Sequence, residues 1–259
     1  MDTVTYPQPE VVALVTELTV PVRLVVKEQR ELVHRYAVNW TPRVSLLDRE
    51  GRELHRLVGY LPPQTFLAQV SIGLGKCLLD GHRWQQATER FEGVLARHEA
   101  SESAAEALYW LAYSRHVLKQ DAAGAVGPYE KAVAADPANL EYRTALGATL
   151  SDLKQYDRAV AELTKVTQAP GYNKAEGWIY LGAAHLGAKR YKDAIAALDK
   201  GAAAAPQSAQ AEAYLAWSYF GLKDAPSFKK HAGKAKALGH KEPTLLAYLT
   251  RIEAGEAIK

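Results

Sequence analysis

The sequence is poor in the residue types on which most catalytic and metal sites depend. Cys77 is its only cysteine among 259 residues, which excludes an intrachain disulfide and a zinc site built from cysteine pairs. The eight histidines are dispersed, and no two stand four residues apart as in a helical metal site. No Gly-x-Ser-x-Gly motif, phosphate-binding glycine loop or pair of catalytic carboxylates is present. We therefore predict that the chain is not an enzyme and carries no cofactor or metal.

Charge of one sign and long apolar runs are also scarce. The formal net charge is only +3, so no bulk attraction to nucleic acid follows, and nothing approaches the roughly 18 apolar residues of a membrane span. The start has no basic, apolar leader pattern. We expect a soluble cytoplasmic protein that neither binds nucleic acid nor inserts into membranes. A lysine cluster near the C-terminus fits a solvated outer face or a contact for an acidic partner: Lys223, Lys229, Lys230, Lys234, Lys236 and Lys241.

The sequence does contain a repeating pattern of small and large apolar residues. Ala125 is followed by Ala159 after 34 residues and by Ala194 after a further 35, and the Leu146-Gly147 pair returns 35 residues later. A period of this length predicts stacked helical hairpins. Small residues bring the two helices of a hairpin close together, and larger ones fill the layer between hairpins.

The pattern resembles the tetratricopeptide repeat. Its best unit contains Trp178, Leu181-Gly182, Ala194, Leu198 and Pro206, in the order and spacing of that family. We predict five units over residues 67–242 and a capping helix over 243–259. The fifth unit is degenerate, and the second carries one extra residue, placed in its internal turn at residues 121–124. The expected fold is mainly α, an α-α superhelix preceded by a small α/β segment.

Residues 1–66 follow a different pattern. The β-branched run Val20–Val26 predicts a buried strand and Lys27–Ala37 a helix. Strands are predicted at Arg43–Leu47 and Glu53–Gly59 around an Asp-x-x-Gly turn, and a helix opens at Pro62 and runs into the first repeat.

This segment resembles the latter part of a thioredoxin-like domain. The resemblance rests on Trp40-Thr41-Pro42, the turn at Asp48–Gly51 and Gly59–Pro63. It implies a cis peptide bond before Pro42. Thioredoxins carry a Cys-x-x-Cys between their first strand and first helix, and here Met1 stands where the helix after those cysteines begins. The resemblance therefore implies a truncated domain without its redox cysteines.

A strand that is central to the thioredoxin-like sheet is missing with the cysteines. The segment Val20–Val26 pairs directly with Arg43–Leu47, which is the alternative we favour, or a partner donates a strand to the gap. A third alternative is that a longer protein precedes Met1.

The tetratricopeptide register also implies which side chains line a concave groove. They come from the first helix of each hairpin and form an aromatic wall at each end with small residues between: Tyr109, Tyr113, His116, Thr144, Ala148, Ile179, Ala183, Leu186, Ala213, Trp217 and Phe220. The competing interpretation is that the aromatic residues only pack between repeats. The lysines and asparagines that grip a terminal carboxylate in other members are absent, so an apolar or amphipathic partner segment is favoured.

We therefore predict a non-catalytic adaptor that binds a protein or peptide in this groove. One alternative is a redox protein whose active cysteines lie upstream or that acts through Cys77, which we interpret as an inert core thiol. Another is self-association of repeats stacked end to end.

Overall fold

The computed structural model describes residues 1–98, 101–118 and 121–258, and its described part is dominated by helices. The order of elements is α1 (Pro9–Leu18), α2 (Arg30–Arg35), β1 (Arg43–Leu47), β2 (Glu53–Val58), α3 (Pro63–Asp80), α4 (Trp84–His98), α5 (Ala104–Tyr113), α6 (Ala122–Ala135), α7 (Leu140–Asp152), α8 (Tyr156–Thr167), α9 (Ala175–Gly187), α10 (Tyr191–Ala204), α11 (Ala209–Gly221), α12 (Ala225–Ala237) and α13 (Pro243–Glu253). A π-helical turn at Ser114–Leu118 continues α5.

The chain divides into two compact units, Met1–Asp136 and Pro137–Lys259. The N-terminal unit contains the first four elements and the hairpins α3–α4 and α5–α6. The C-terminal unit contains the hairpins α7–α8, α9–α10 and α11–α12, followed by α13. The mainly α fold is therefore confirmed, and the described residues form these five helical pairs.

Polar side chains cap the N-termini of several of these helices. Asn139 accepts hydrogen bonds from the Glu141 and Tyr142 amides at the start of α7, and Ser208 accepts one from the Ala211 amide at the start of α11. Such caps satisfy amides that have no partner within the helix.

Close contact between the two helices of a hairpin explains the small residues of the repeat. A Cβ atom on Gly147 would lie 2.5 Å from Leu163 Cγ, and one on Gly182 would lie 2.4 Å from Leu198 Cγ. In the degenerate fifth unit, Phe228 and Ala232 exchange the usual large and small positions, and both are fully buried. The core is kept filled although the order of sizes is reversed.

The extra residue of the second unit lies elsewhere than predicted. Residues 122–124 already belong to α6, and Asp121 caps that helix by accepting from the Gly124 amide. The end of α5 instead widens into the π-helical turn Ser114–Leu118. A π turn contains one more residue than an α turn, so it accommodates the insertion without displacing α6.

Helix α3 contributes to two hydrophobic cores at once. Phe66 and Val70 pack with Val11 of α1 and with the sheet. Ile72 and Leu79 pack with the second helix of the first hairpin and with α5. The predicted boundary between residues 66 and 67 thus falls inside one continuous helix.

The sheet of the described chain has two antiparallel strands, β1 and β2. Leu46 and Leu57 point into the core, while Arg56 and Val58, which alternate with Leu57, are exposed. The turn between the strands is held by Asp48, which accepts from the Glu50 and Arg52 amides. The peptide bond between Thr41 and Pro42 is cis, the isomer that the resemblance predicted.

The prediction of a buried strand at Val20–Val26 is wrong. These residues form an irregular, exposed segment, with Val20 at 89% and Val22 at 73% exposure, and they do not pair with β1. A strand is stable only with a neighbour to exchange hydrogen bonds, and the described chain provides none here. The helix predicted at Lys27–Ala37 is shorter, because residues 26–28 form a turn.

Of the helices described, none combines the length and the apolar character that a membrane crossing requires.

Candidate functional site

The first helices of the three C-terminal hairpins lie side by side, because α9 contacts both α7 and α11. This arrangement brings together residues that are about 34 positions apart in sequence. Ala148 of α7 and Ala183 of α9, predicted as groove residues, are both partly exposed. Small side chains at these positions would let a partner backbone approach closely.

Other predicted groove residues of this unit serve packing within the array. Thr144 is buried and donates its hydroxyl to the Leu140 carbonyl. Ile179 is buried against Gly201 of the second helix, and Ala213 is also buried. Leu186 is half-buried beside the core formed around Leu198.

The aromatic end of the predicted groove is covered by the chain itself. Trp217 donates its indole N–H to Glu242 Oε2 at 3.2 Å, just before α13. The Tyr248 ring of α13 lies 5.9 Å from the Trp217 ring and 4.8 Å from the Phe220 ring. The last hairpin would otherwise expose its apolar side, and α13 covers it. Trp217 and Phe220 therefore contact the C-terminal helix.

Sequence reasoning missed Tyr180 and Tyr214 on the same helices. Both are half-buried, and Tyr214 accepts a hydrogen bond from Gln210. Burial raises the pKa of the Tyr180 hydroxyl, and the nearby Glu176, Tyr214 and Asp152 act in the same direction. The signal was available, since the two tyrosines are 34 residues apart. We call Ala148, Tyr180, Ala183 and Tyr214 the first-helix face.

The N-terminal unit contains a compact aromatic group on α5. The Tyr109 ring is buried, 5.8 Å from the Tyr129 ring of α6, and it stacks at 6.5 Å on the partly exposed Tyr113. Trp110 packs edge-on against Tyr113 at 5.4 Å. His116, in the π-helical turn, is also partly buried. Of this predicted group, Tyr113 and His116 remain accessible in part.

A buried polar network lies behind these rings. Lys76 Nζ is 2.7 Å from Glu106 Oε1, 3.1 Å from His55 Nδ1 and 4.8 Å from the centre of the Trp110 ring. Burial opposes ionisation of Glu106, but the Lys76 ammonium outweighs it and lowers the pKa of that carboxyl. Burial and Lys76 both lower the pKa of His55. The network connects β2, α3 and α5 and has a structural role.

The remaining candidates for chemistry are the Cys77 thiol and the side chains that could bind a metal ion. Burial, reinforced by Asp48 and Asp80, raises the pKa of the Cys77 thiol. A thiol is a nucleophile only as thiolate, so this environment disfavours attack by Cys77. No group of three or more His, Cys, Asp or Glu side chains suited to a metal ion occurs within residues 1–98, 101–118 and 121–258.

Solved structures with the same fold are repeat proteins of low sequence identity. MamA from Desulfovibrio magneticus RS-1 superposes with a TM-score of 0.60 at 20% identity, over 68% of this chain and 97% of that one. PilF of Pseudomonas aeruginosa gives 0.63 at 19% identity, over 74% and 86%. YrrB, described as a TPR protein with an unusual peptide-binding site, gives 0.59 at 20% identity, over 71% and 92%. At these identities the similarity shows the fold alone.

Family models match two adjacent parts of the chain, and the two matches meet within α3. The thioredoxin-like domain family matches residues 3–71, and the tetratricopeptide repeat family matches residues 72–139 and 144–209. No curated protein matches the chain. The repeat matches cover more than half of the sequence, and the helical hairpins they predict are those of the structure. The chain therefore belongs to the tetratricopeptide repeat family and begins with a thioredoxin-like segment.

Proposed function

We propose that the protein is a non-catalytic adaptor that binds an apolar or amphipathic segment of a partner protein on the first-helix face. The observation that carries this proposal is the side-by-side packing of α7, α9 and α11, on which Ala148, Tyr180, Ala183 and Tyr214 are all partly exposed. Tyrosine provides a large contact area at a small cost in side-chain entropy and is enriched at binding hot spots.

A helical partner segment suits this face better than an extended one. Small residues let a second backbone approach closely, and the half-buried rings of Tyr180 and Tyr214 offer an apolar surface with a polar tip. YrrB, with its reported peptide-binding site, is a precedent for this class of ligand within the fold. Tyr113 and His116 in the N-terminal unit are proposed as further partner contacts.

Because α13 packs against Trp217 and Phe220, these two residues are not among the proposed partner contacts. Those two rings contribute to the end cap, so in the C-terminal unit the proposed contacts are those of the first-helix face. We also propose a cytoplasmic location, and a division into a thioredoxin-like segment (1–66), repeats (67–242) and a C-terminal cap (243–259).

A redox function through Cys77 is less well supported. The raised pKa of its thiol leaves little thiolate at neutral pH, whereas thiol exchange needs an accessible, acidified cysteine.

The adaptor proposal predicts that arginine on the first-helix face blocks binding. We expect Ala148→Arg and Ala183→Arg to weaken partner binding about tenfold or more, because a long charged side chain would be buried beneath the partner segment. The measurement is capture from cell extract by the tagged full chain, quantified by mass spectrometry, and then titration with the captured partner.

The matched control is Ala196→Arg on α10, where the replaced alanine is exposed on a second helix. It should leave capture unchanged. Equal capture by the wild type and both face variants would contradict the assignment of the binding surface.

A further inference from the structure

A large open cavity lies in the N-terminal unit, outside the proposed adaptor surface. Its volume is about 2430 Å³, and its walls include α1, the segment Val20–Val26, β1 and one side of α3. Val15, Phe66, Val70 and Leu74 give it an apolar lining. Small-molecule sites usually measure about 300–1,000 Å³, so this space suits a stretch of polypeptide better than a metabolite. We call it the edge cavity.

One wall of the edge cavity is an unpaired edge of the sheet. The Gly59 amide donates to the Pro42 carbonyl at 2.8 Å, and the Asp48 amide donates to the Arg52 carbonyl at 3.0 Å. Residues 42 and 48 therefore point toward β2. In an antiparallel pair, successive residues point alternately to the two edges, so the odd-numbered residues of β1 direct their backbone groups away from β2.

No strand of the described chain occupies that second edge, since the sheet contains β1 and β2 only. Open edges of this kind pair readily with an added strand. Ser45, at the centre of β1, lines the edge cavity, and by this alternation its backbone groups face away from β2.

The opposite wall has the composition of a strand without a sheet. Apart from Pro21 and Arg23, the segment Val20–Val26 consists of valine and leucine, and five of its seven residues are exposed apolar side chains. Large exposed apolar groups are uncommon on a monomer surface and mark interaction sites. Within the described residues, no backbone hydrogen bond involves residues 20–24.

We infer that the edge cavity accepts the segment Val22–Val26 of a second copy of this chain, which pairs with β1 as an added strand. Pro21 has no amide hydrogen, so pairing would begin at Val22 and could span five residues, which is the length of β1. The Val25 carbonyl accepts from the Glu28 and Gln29 amides within one chain, so the last two residues would pair only if this turn opens. Both the donor segment and the acceptor edge are present on one chain but do not pair there. In a dimer with two-fold symmetry, each copy would donate its segment and accept the segment of the other copy, so that both β1 edges would be paired.

The surface buried by this exchange is of the size that a dimer needs. A five-residue strand is about 17 Å long. Two reciprocal strands, each covered along an edge and on its apolar side, would bury on the order of 1,000 Å² or more, which reaches the lower range of specific interfaces. This contact differs from end-to-end stacking of repeats, since both strands that would pair belong to the thioredoxin-like segment.

The first test is the mass of the full chain in solution. Light scattering over a dilution series should give twice the chain mass of 28.4 kDa at high concentration. Leu24→Pro removes an amide from the middle of the donated strand and should raise the dissociation constant of the dimer at least about tenfold.

Val20→Pro is the matched control. It introduces the same residue into the same exposed segment but outside the paired stretch, so the dimer should persist. Circular dichroism should be the same for both variants, because neither position has a backbone hydrogen bond within the described chain. A monomer at every wild-type concentration, or equal dissociation of the two variants, would overturn the inference.

The second test identifies the contact by a disulfide. In a Cys77→Ala background, one preparation carries Leu24→Cys and the other Ser45→Cys, with tags of different mass. Mixing under mild oxidation should yield the mixed disulfide between copies, whereas Val117→Cys with Ser45→Cys should not. A predominant Ser45→Cys homodimer would indicate β1 pairing with β1 and would overturn the proposed occupant.

Discussion

Glu53 shows how a single buried charge depends on its neighbours. Burial opposes ionisation of its carboxyl, but hydrogen bonds from Arg56, Ser45 and Arg43 outweigh burial and lower the pKa to about 2 from the usual 4.5. Arg43 is 2.6 Å from Glu53 Oε1, and its side chain is almost completely buried. Removing Glu53 alone would therefore leave a buried guanidinium without its partner.

We predict that Glu53 makes the stability of the N-terminal unit dependent on pH below 4.5. Because its pKa is lowered by folding, the carboxylate stabilises the native state fully above 4.5 and loses that contribution as the pH falls toward 2. The shift corresponds to about 3 kcal/mol. The measurement is the free energy of unfolding in urea at pH 6, 4 and 3.

Glu53→Gln should be less stable than the wild type at pH 6, and the difference should shrink as the pH falls. The control is Glu253→Gln, an exposed residue in α13. A difference between Glu53→Gln and wild type that is the same at all three pH values would contradict the assigned role.

Single residues also mark the limit of prediction from sequence. The register predicted Tyr109, Thr144 and Ile179 as groove residues, but all three are buried. The register of the repeat predicts which way a side chain points. The solvent exposure of that side chain depends on how the neighbouring helices pack against it. Tyr180 was missed although its spacing of 34 residues from Tyr214 fits the repeat period.

At the scale of elements, the contact of Gly182 with Leu198 determines how close α9 and α10 lie. We predict that Gly182→Ala destabilises the protein by about 1–3 kcal/mol, because the added methyl group overlaps the leucine side chain. The measurement is the change in urea midpoint and free energy of unfolding.

The matched control is Gly233→Ala in α12, where a Cβ atom would meet nothing within 4 Å. Alanine favours a helix over glycine, so this variant should be more stable by about 0.5–1 kcal/mol. Similar effects of the two substitutions would show that helix propensity, and not close packing, decides the outcome at Gly182.

Elements stabilised by local signals were predicted well. Small residues, caps and closing prolines recur with the period of the hairpins, so the five helical pairs could be read from the sequence. The segment Val20–Val26 was predicted wrongly because strand formation needs a distant neighbour, which its own composition does not reveal. The position of α13 against Trp217 was likewise not visible, since it depends on tertiary contact.

At the scale of the whole molecule, the C-terminal unit contains its own cores. Leu198 and Leu215 belong to one cluster and Phe228 and Leu245 to another, and all four lie after Pro137. Repeat proteins are stabilised mainly by contacts between neighbouring units. We therefore predict that residues 137–259 fold without the rest of the chain and melt cooperatively, as measured by circular dichroism.

A fragment that starts at Tyr156 provides the comparison. It lacks α7, so Leu163 loses the Gly147 surface against which it packs. We expect a lower melting temperature for this fragment than for 137–259. A gradual, non-cooperative loss of helix in the longer fragment would contradict the prediction.

Helix α3 restricts where this chain could be divided by recombination. Half of its 18 residues are buried, and they face two different cores, so hardly any side remains on which substitutions are free. Recombination that exchanged the thioredoxin-like segment or the first hairpin would have to cut this helix and leave one core incomplete. We therefore expect that the thioredoxin-like segment and the first hairpin can be exchanged only together, because α3 completes the cores of both.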